Sequence, residues 1–593
     1  MAVSSDCFCL LPIEVVLTIL SLLPFKEVVR TCVLSKDWLD ICKSTPNIEF
    51  NELFFVKPDQ SNETREAQRR AFLEFIKSWI ENHKGATIDK FSLSLSMPAN
   101  VGEIINESVA FATQRGVKEL DLDFVDRSKN ENGDCSYDSD EALFELPSRV
   151  YEHISLESLK LYSCSFIETK VLNFHALKEV SLGWMEVRLT AIKAFLFNCK
   201  KLECLSFTRC WNLDKFDLGE EEHMGLTKLF LDKCNFDFDY FRVKAPNLKI
   251  FKYCGWINFA VVEIDSLAME EVDLDFSLES SFEEFGHPIY NLVKDVCTAR
   301  VLTVCSFVLQ VIPTGPEQLR MEVDMDARHL IMKTALDDDE FIGISFFLNS
   351  CPLLERLTIE IGPKSELSDY EPAFEFTSLL FWIEYLNVCE CLISSLEVVE
   401  INGFRGTLNE YRFLEYLIFS GYVLKKIIIN MLKDDSGRTV EYYCRHMAEL
   451  LFVETEVLNN FHELKEVSLG WIEVRLSAIK ALLSNYNMLE SLSFKRCWNL
   501  DKFDLDEEQH TGLRKLVLDK CRLNLMFPKL FLPGALELLG FQSDDMLVQH
   551  LIMKTYGFAQ EQVLGNHILP QKLPNDYEAP FEFNRTRFWS DNV

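Results

Sequence analysis

Residues 174–234, FHALKEVSLGWMEVRLTAIKAFLFNCKKLECLSFTRCWNLDKFDLGEEEHMGLTKLFLDKC, carry a short pattern that decides the fold. Leu-x-Leu-x-x-Cys, with one Phe for Leu, occurs at 205–210 (LSFTRC), at 229–234 (LFLDKC) and just upstream at 159–164 (LKLYSC). The related VSLGWM occupies 180–185, so the motifs end at 164, 185, 210 and 234. The chain therefore repeats one small unit every 21 to 25 residues.

This spacing is typical of a leucine-rich repeat, in which a short strand points alternate Leu side chains inward and Cys closes the turn. Weaker units continue the register at 120–125, 251–256, 272–277 and 302–307. Between strands, 189–198 (LTAIKAFLFN) has apolar residues at helical spacing. We predict an α/β fold: a curved solenoid of short parallel strands alternating with helices, over residues 51–385.

The opening passage is repeated 287 residues later, at 461–521, with 46 of 61 positions identical. Later landmarks recur too, such as HLIMKT at 329 and 550. Residues 450–593 thus form a partial second copy of about 165–386, left by a tandem duplication or by two neighbouring genes read as one. A second functional site is the alternative. We expect this copy to be less stable, with frayed structure beyond Phe541.

The bulk composition narrows the classes of partner. A formal net charge of -33 argues against a nucleic-acid partner, because that affinity rests largely on Lys and Arg. The 19 cysteines follow no signal-type N-terminus, which favours free thiols in a reducing compartment, the nucleus and/or cytoplasm. No uninterrupted apolar stretch approaches the roughly 18 residues of a membrane span, so no membrane association is expected.

The first fifty residues have a different character. Residues 10–50 read LLPIEVVLTILSLLPFKEVVRTCVLSKDWLDICKSTPNIEF. A helix should start at Leu11-Pro12 and stop at Pro24, a second should cover 26–34, and Ser35 should cap a third. About forty residues cannot bury this much apolar surface alone, so these helices should pack on something else.

This string resembles the F-box of the large plant F-box/leucine-rich-repeat family, over residues 1–50. Matching positions include Leu11-Pro12, Leu23-Pro24, 33–36 (VLSK) and Trp38. The resemblance implies that these helices bind a Skp-type adaptor, which bridges to the cullin and RING subunits of an SCF ubiquitin ligase. The adaptor contact that it implies consists of Leu11, Pro12, Leu20, Leu23, Pro24, Val29, Leu34 and Trp38.

Two positions depart from the family pattern. Ile13 stands where the family usually has Asp, and Asp37 stands where it has Arg. Loss of a cation opposite an acidic adaptor would weaken docking or slow association. An unrelated helical cap on the solenoid is the alternative interpretation of these fifty residues.

Residues 391–430, CLISSLEVVEINGFRGTLNEYRFLEYLIFSGYVLKKIIIN, resemble the FBD motif that ends many members of the family. We predict two apolar strands around a short helix, within an FBD-like cap at 386–435. Such a cap would cover the apolar end of the solenoid. A stabilising role is favoured over substrate binding.

No catalytic motif is recognisable: the chain lacks a phosphate-binding Gly loop, a His-Glu-x-x-His pair and a Gly-x-Ser-x-Gly elbow. The Cys7/Cys9 and Cys389/Cys391 pairs lack metal-ligand spacing, so no metal or cofactor is expected.

The family resemblance implies a non-catalytic substrate-recognition adaptor of an SCF ligase that presents an unknown protein target. A plain interaction scaffold outside any ligase is the alternative, and sensing of a small molecule stays open. The outward strand positions that we select as target-binding candidates are Lys160, Tyr162, Arg209, Asp232 and Lys233.

Overall fold

The structure, a computed structural model, falls into two compact units, which are taken separately: Met1–Ala268 with Phe581–Val593, and Met269–Pro580. The residues that it describes are 11–57, 60–125, 143–167, 170–171, 174–212, 216–219, 223–235, 240–257, 261–267, 269–279, 286–312, 320–363, 381–382, 389–432, 465–470, 488–495, 513–519 and 537–539. Within these ranges no helix is long and apolar enough to cross a membrane.

Three short helices open the first unit: α1 (Ile13–Ser21), α2 (Phe25–Thr31) and α3 (Lys36–Cys42). Pro12 and Pro24 stand at the first two N-caps, where a missing N–H costs nothing. The Ser35 hydroxyl accepts the Trp38 N–H at 3.1 Å and caps the third helix. The three predicted helices are confirmed, but the second ends at Thr31 and not at the predicted residue 34.

One side of these helices packs on the first repeat through an aromatic contact. Phe25 is buried, and its ring centroid lies 5.8 Å from that of Phe50 and 5.1 Å from that of Trp79, both edge-on. An ion pair of 2.7 Å between Lys84 and Asp40 lies nearby on the surface. The helices therefore cover part of their apolar surface with the repeats, as expected.

The main sheet of the first unit is an all-parallel ladder of eight strands, in the order β1-β2-β3-β5-β7-β8-β10-β12. These strands are β1 (Asn47–Asn51), β2 (Lys90–Ser94), β3 (Glu119–Asp123), β5 (Ser158–Tyr162), β7 (Glu179–Gly183), β8 (Cys204–Thr208), β10 (Lys228–Cys234) and β12 (Ile250–Gly255). Two further short strands, β4 (Phe144–Glu145) and β6 (Cys164–Ser165), pair with each other.

Both Leu positions of the motif form buried rows along this ladder. Leu159, Leu205 and Leu229 lie in one register row, in which Val180 of β7 stands between Leu159 and Leu205. Each of the three leucines is at most 1% exposed. The residues two positions later are equally buried, while those between them are half-buried on the opposite face. The predicted inward direction of alternate side chains is confirmed.

The turn after each strand follows one backbone rule. The residue just before the closing position of the motif has a left-handed backbone conformation, although it is not glycine. These residues are Ser163, Trp184, Arg209 and Lys233, with φ between 50° and 53°. This conformation costs roughly 1–2 kcal/mol per residue. A hydrogen bond to the next strand stabilises this conformation. The Arg209 N–H, for example, donates to the Asp232 carbonyl oxygen at 2.7 Å.

The closing cysteines lie inside the core, as predicted. Cys164 and Cys210 are fully buried, and their thiols donate to the Leu122 carbonyl at 3.8 Å and the Leu182 carbonyl at 3.3 Å. Each carbonyl belongs to an earlier strand of the ladder. The cysteine therefore joins neighbouring repeats as well as filling space.

The connections between strands only partly match the predicted alternation with helices. Helices are α4 (Asn62–Asn82), α5 (Gly102–Gln114), α6 (Ser148–Tyr151) and α7 (Leu189–Asn198), with 3-10 turns at Glu52–Phe54 and Pro98–Val101. The bounds of α7 are those predicted. After β8, β10 and β12 the connections contain strands β9 (Phe216–Leu218), β11 (Tyr240–Lys244) and β13 (Val261–Asp265), which form a second parallel sheet.

In the described part of the second unit the architecture is repeated by ten parallel strands, paired in chain order. They are β14 (Glu271–Asp275), β15 (Val301–Cys305), β16 (His329–Thr334), β17 (Arg356–Ile361), β18 (Val398–Phe404), β19 (Lys426–Met431), β20 (Glu466–Gly470), β21 (Ser491–Lys495), β22 (Lys515–Asp519) and β23 (Glu537–Leu539). Its helices are α8 (Gly286–Asp295), α9 (Ser306–Val311), α10 (Phe341–Ser350), α11 (Glu390–Ser394) and α12 (Leu408–Ser420), with a 3-10 turn at Asp338–Glu340.

The FBD-like segment has the predicted strands, but it does not end the sheet. Strands β18 and β19 flank α12, which begins with a capping box between Thr407 and Glu410. Strand β19 then pairs in parallel with β20, in the register Lys426 to Glu466. The cap expected at this edge is instead an internal part of the ladder, because the second copy supplies a further strand.

Strands β20, β21 and β22 of the second copy repeat β7, β8 and β10 of the first at the same offset of 287 residues. Glu466 pairs with Ser491 as Glu179 pairs with Cys204. The register is thus preserved in the copy, and β20 has the same burial pattern as β7. The expected fraying beyond Phe541 lies outside the described residues.

Candidate functional site

Large apolar side chains remain exposed on α1, next to its N-terminus, and in the turns that follow α1 and α2. These side chains, which we call the helical apolar face, are Leu11, Ile13, Val15, Ile19, Leu22, Leu23, Val33 and Leu34. The most exposed are Leu22 at 80% and Leu34 at 63%. Fully burying one such side chain is worth roughly 1.5–3 kcal/mol, so the face favours a partner.

The structure divides the eight residues that the F-box resemblance selected. Five are exposed and can touch a partner directly: Leu11, Pro12, Leu23, Pro24 and Leu34. Leu20, Val29 and Trp38 are at most 8% exposed and form the core beneath the face. Little of their surface is open to a partner in this structure, and the direct contact implied for these three residues stays a prediction.

Sequence reasoning left five exposed residues out of the predicted contact: Ile13, Val15, Ile19, Leu22 and Val33. Helical spacing alone marks Val15, Ile19 and Leu22 as one stripe, but it does not say which stripe faces the repeats. Ile13, where the family usually has Asp, is half exposed and extends the helical apolar face. The side chain of Asp37 lies outside the described residues.

Lys160 and Tyr162 lie on the half-buried face of β5. The Lys160 ammonium is 3.1 Å from Glu179 Oε1. Burial disfavours the charged Lys160, but the hydrogen bond to Glu179 and the negative charge of Glu179 and its neighbours together raise the pKa of Lys160. Burial, and then the Asp121 carboxylate, raise the pKa of Tyr162. Both groups keep their protons at neutral pH.

A glycine makes room for Tyr162. A Cβ placed on Gly183 would lie 2.2 Å from Cδ1 of the Tyr162 ring, so the ring lies across strand β7 at this point. Asp121 is the register partner of Lys160 and accepts a hydrogen bond of 3.2 Å from Ser92. Lys160 and Tyr162 therefore sit beside carboxylates that the sequence reasoning did not select.

The other three candidates lie further along the ladder. Asp232 and Lys233 are in β10, Arg209 directly follows β8, and Arg209 and Lys233 have left-handed backbone angles. The Arg209 guanidinium lies 4.6 Å above the Trp184 ring, a cation–π contact. Strands stand about 4.8 Å apart, so roughly 14 Å separate β5 from β10. Tyr162 and Asp232 lie in one register row across these strands, so they and Lys160 share one side of the sheet.

A cavity of about 560 Å³ lies elsewhere, between α7 and residues 223–226. None of the five target-binding candidates lines it. Among the residues that the structure describes, no cluster of His, Cys, Asp or Glu could hold a metal ion. The half-buried face of β5, β7, β8 and β10, which we call the strand face, offers pairs of opposite charge and aromatic rings. These groups suit recognition of a protein surface.

Two family models match this chain. The F-box domain matches residues 8–50, and a leucine-rich-repeat family described as "At1g61320/AtMIF1, LRR domain" matches 79–408. Helices with an F-box sequence ahead of a parallel repeat ladder define an F-box protein with leucine-rich repeats. The chain belongs to the plant F-box/leucine-rich-repeat family, as the relatives below also show.

Three relatives come from Arabidopsis thaliana. The F-box protein At3g62230 is 32% identical over 412 residues, which cover 69% of this chain and 87% of that protein. The FBD-associated F-box protein At1g66310 is 25% identical over 441 residues, 72% of this chain and 90% of that protein. The F-box/LRR-repeat protein At3g58940 is 23% identical over 495 residues, which cover 79% of this chain and 72% of that protein.

Proposed function

We propose that this protein is the substrate-recognition subunit of an SCF ubiquitin ligase. Its helical apolar face docks a Skp-type adaptor, and the strand face binds a protein target. The observation that carries the proposal is an F-box sequence whose first helix and adjoining turns expose eight large apolar side chains above a buried core.

The packing of the N-terminal helices suits an adaptor-binding segment that is fixed to the repeats. Phe25 packs against Phe50 and Trp79, so α2 rests on the first strand and on α4 of the same compact unit. Asn47 adds a hydrogen bond of 3.2 Å to the Ser21 carbonyl at the end of α1. A target held by the strands of this unit would therefore be held in a defined position.

No chemistry is assigned to the chain itself. In an assembled ligase the cullin and RING subunits would bring the charged ubiquitin carrier to the bound target. Acceleration then comes from proximity, because a bimolecular encounter becomes effectively unimolecular. The strand face contributes binding energy and orientation only.

Co-expression of the full chain with a plant Skp-type adaptor tests the proposal. We expect one adaptor per chain to co-purify through gel filtration. A folded, soluble chain that recovers no adaptor would contradict the ligase assignment and favour the interaction scaffold. The target needs a separate experiment, since the adaptor and the target contact different faces.

A further inference from the structure

Two thiols meet between α2 and α3. Cys32 caps the C-terminus of α2, and Cys42 is the last residue of α3. The Sγ atoms of Cys42 and Cys32 lie 3.3 Å and 4.0 Å from the same acceptor, the Val28 carbonyl oxygen. Each thiol also shifts the pKa of the other, as close neighbours do. Both sulfurs thus lie around one carbonyl oxygen.

We propose that Cys32 and Cys42 form a reversible disulfide in response to a peroxide, and that this disulfide weakens binding at the helical apolar face. The second half rests on the proposed function, whereas the disulfide itself does not. The pair is a modification site in the part of the chain that docks the adaptor.

Access distinguishes this pair from the other interacting cysteines. Cys32 is only half-buried, so a small oxidant can approach the pair from the Cys32 side, whereas Cys42 itself is buried. Cys210 and Cys234 also interact with each other, but both are buried in the repeat core. Cys210 and Cys234 therefore serve as an internal control, a buried pair of cysteines in the same chain.

The environment of Cys42 favours its reactive form. The interaction with Cys32, and after it the contact with Thr31 Oγ1 at 3.1 Å, outweigh burial and lower the pKa of Cys42. The thiolate is the nucleophile in thiol oxidation. The interaction with Cys42, followed by burial, raises the pKa of Cys32, so the pair shares one proton between two sulfurs when the first is lost.

The reaction balances with one peroxide molecule. Two S–H bonds and the O–O bond of hydrogen peroxide break, and one S–S bond forms. The two sulfurs lose two electrons in total, the peroxide takes them up, and the thiol protons complete two water molecules. A thiol reductant reverses the step, as expected for a transient disulfide in a reducing compartment.

The disulfide would disturb the apolar face through the chain next to Cys32. An S–S bond is about 2.05 Å long, so the sulfurs must move closer together. Val33 and Leu34 follow Cys32 directly and are exposed members of the helical apolar face. The Leu34 N–H is held at 3.0 Å from the Thr31 carbonyl, which a shift of Cys32 would strain.

Peptide mapping of the full chain tests the disulfide. The chain is treated with hydrogen peroxide, free thiols are blocked, and trypsin releases residues 31–36 (TCVLSK) and 37–43 (DWLDICK). We expect these two peptides joined by a bond that dithiothreitol removes, while the Cys234 peptide at 234–242 (CNFDFDYFR) stays reduced. Absence of the joined peptides at doses that oxidise Cys234 would overturn the proposal.

Adaptor binding tests the consequence. We expect oxidised chain to bind the Skp-type adaptor about fivefold more weakly than reduced chain, at the low end of couplings between sites. Cys32→Ser should bind like reduced chain with or without peroxide. Joined peptides with unchanged binding would overturn the regulatory half. A reduced chain that binds no adaptor would contradict the proposed function, while the peptide map would still decide the disulfide.

Discussion

Oε2 of Glu466 lies 2.8 Å from Nζ of Lys426, across the junction of β19 and β20. Glu466 is the copy of Glu179, which pairs in the first unit with Lys160 from β5. The same glutamate is thus neutralised by a lysine from an unrelated preceding strand. The FBD-like segment therefore offers the duplicated block a compatible sheet edge.

This junction predicts a local effect of Val467→Asp. Val467 is buried and in register with Ile427, so a carboxylate there would be buried without a partner. Hydrogen exchange should become faster in β20–β22 while β7 keeps its protection. Val180→Asp, at the matching position of the first copy, should have the reverse pattern. Unchanged exchange in β20 would contradict the pairing.

Trp38→Ala should lower stability as well as adaptor binding. Trp38 is buried, and removal of such a side chain costs about 3–5 kcal/mol. Leu34→Ala removes an exposed side chain and should change the free energy of unfolding by no more than about 0.5 kcal/mol. Urea unfolding measures both. Equal stability losses would show that Leu34 is not a surface residue.

Gly183→Ala should be destabilising because its Cβ would overlap the Tyr162 ring. We expect a loss of roughly 1–3 kcal/mol in unfolding free energy. Tyr162→Ala in the same chain should recover part of that loss, which a double-mutant cycle detects. Gly362→Ala is the control, since no atom lies within 4 Å of its added Cβ. Additive losses at 183 and 162 would contradict the contact.

Asp121→Asn should stabilise the protein at neutral pH. Burial raises the pKa of Asp121, so the folded chain binds this proton more readily than the unfolded chain. Stability from this group is therefore lost as pH rises through the raised pKa. The gain from Asn should be larger at pH 7 than at pH 5, in thermal melts.

Asp123→Asn is the matched control for that experiment. Asp123 lies on the same strand as Asp121, and its carboxylate accepts a hydrogen bond of 3.1 Å from the Val125 N–H. The Asp123 carboxylate therefore has a partner. We expect no gain in stability from this substitution. A larger gain for Asp121→Asn at pH 5 than at pH 7 would contradict the sign of the Asp121 shift.

Much of the repeat architecture follows from local pattern. The bounds of α7, the buried Leu rows and the role of Cys210 are set by spacing within 25 residues, so sequence alone predicts them. The strands β9, β11 and β13 could not be predicted in this way. Each is short and gains its hydrogen bonds from distant neighbours of the second sheet.

The candidate adaptor surface was predictable as a segment but not residue by residue. Leu20 and Leu22 are both apolar residues near the end of α1, yet one is 1% exposed and the other 80%. Their difference depends on which side of the helix meets α2, α3 and the first repeat, which is a matter of tertiary packing. The F-box resemblance likewise selected Trp38 as a contact, although it lies in the core.

The adaptor affinity of two matched variants tests the central claim most directly. Leu22→Asp places a charge on the helical apolar face, whereas Leu267→Asp places one at a similarly exposed leucine, 74% accessible, after the last strand of the first unit. Neither change should lower stability, because both sites are on the surface. We predict that Leu22→Asp weakens binding of the Skp-type adaptor at least about tenfold, while Leu267→Asp binds like the unaltered chain. Full-strength binding by a folded Leu22→Asp chain would contradict the assignment of this face to the adaptor.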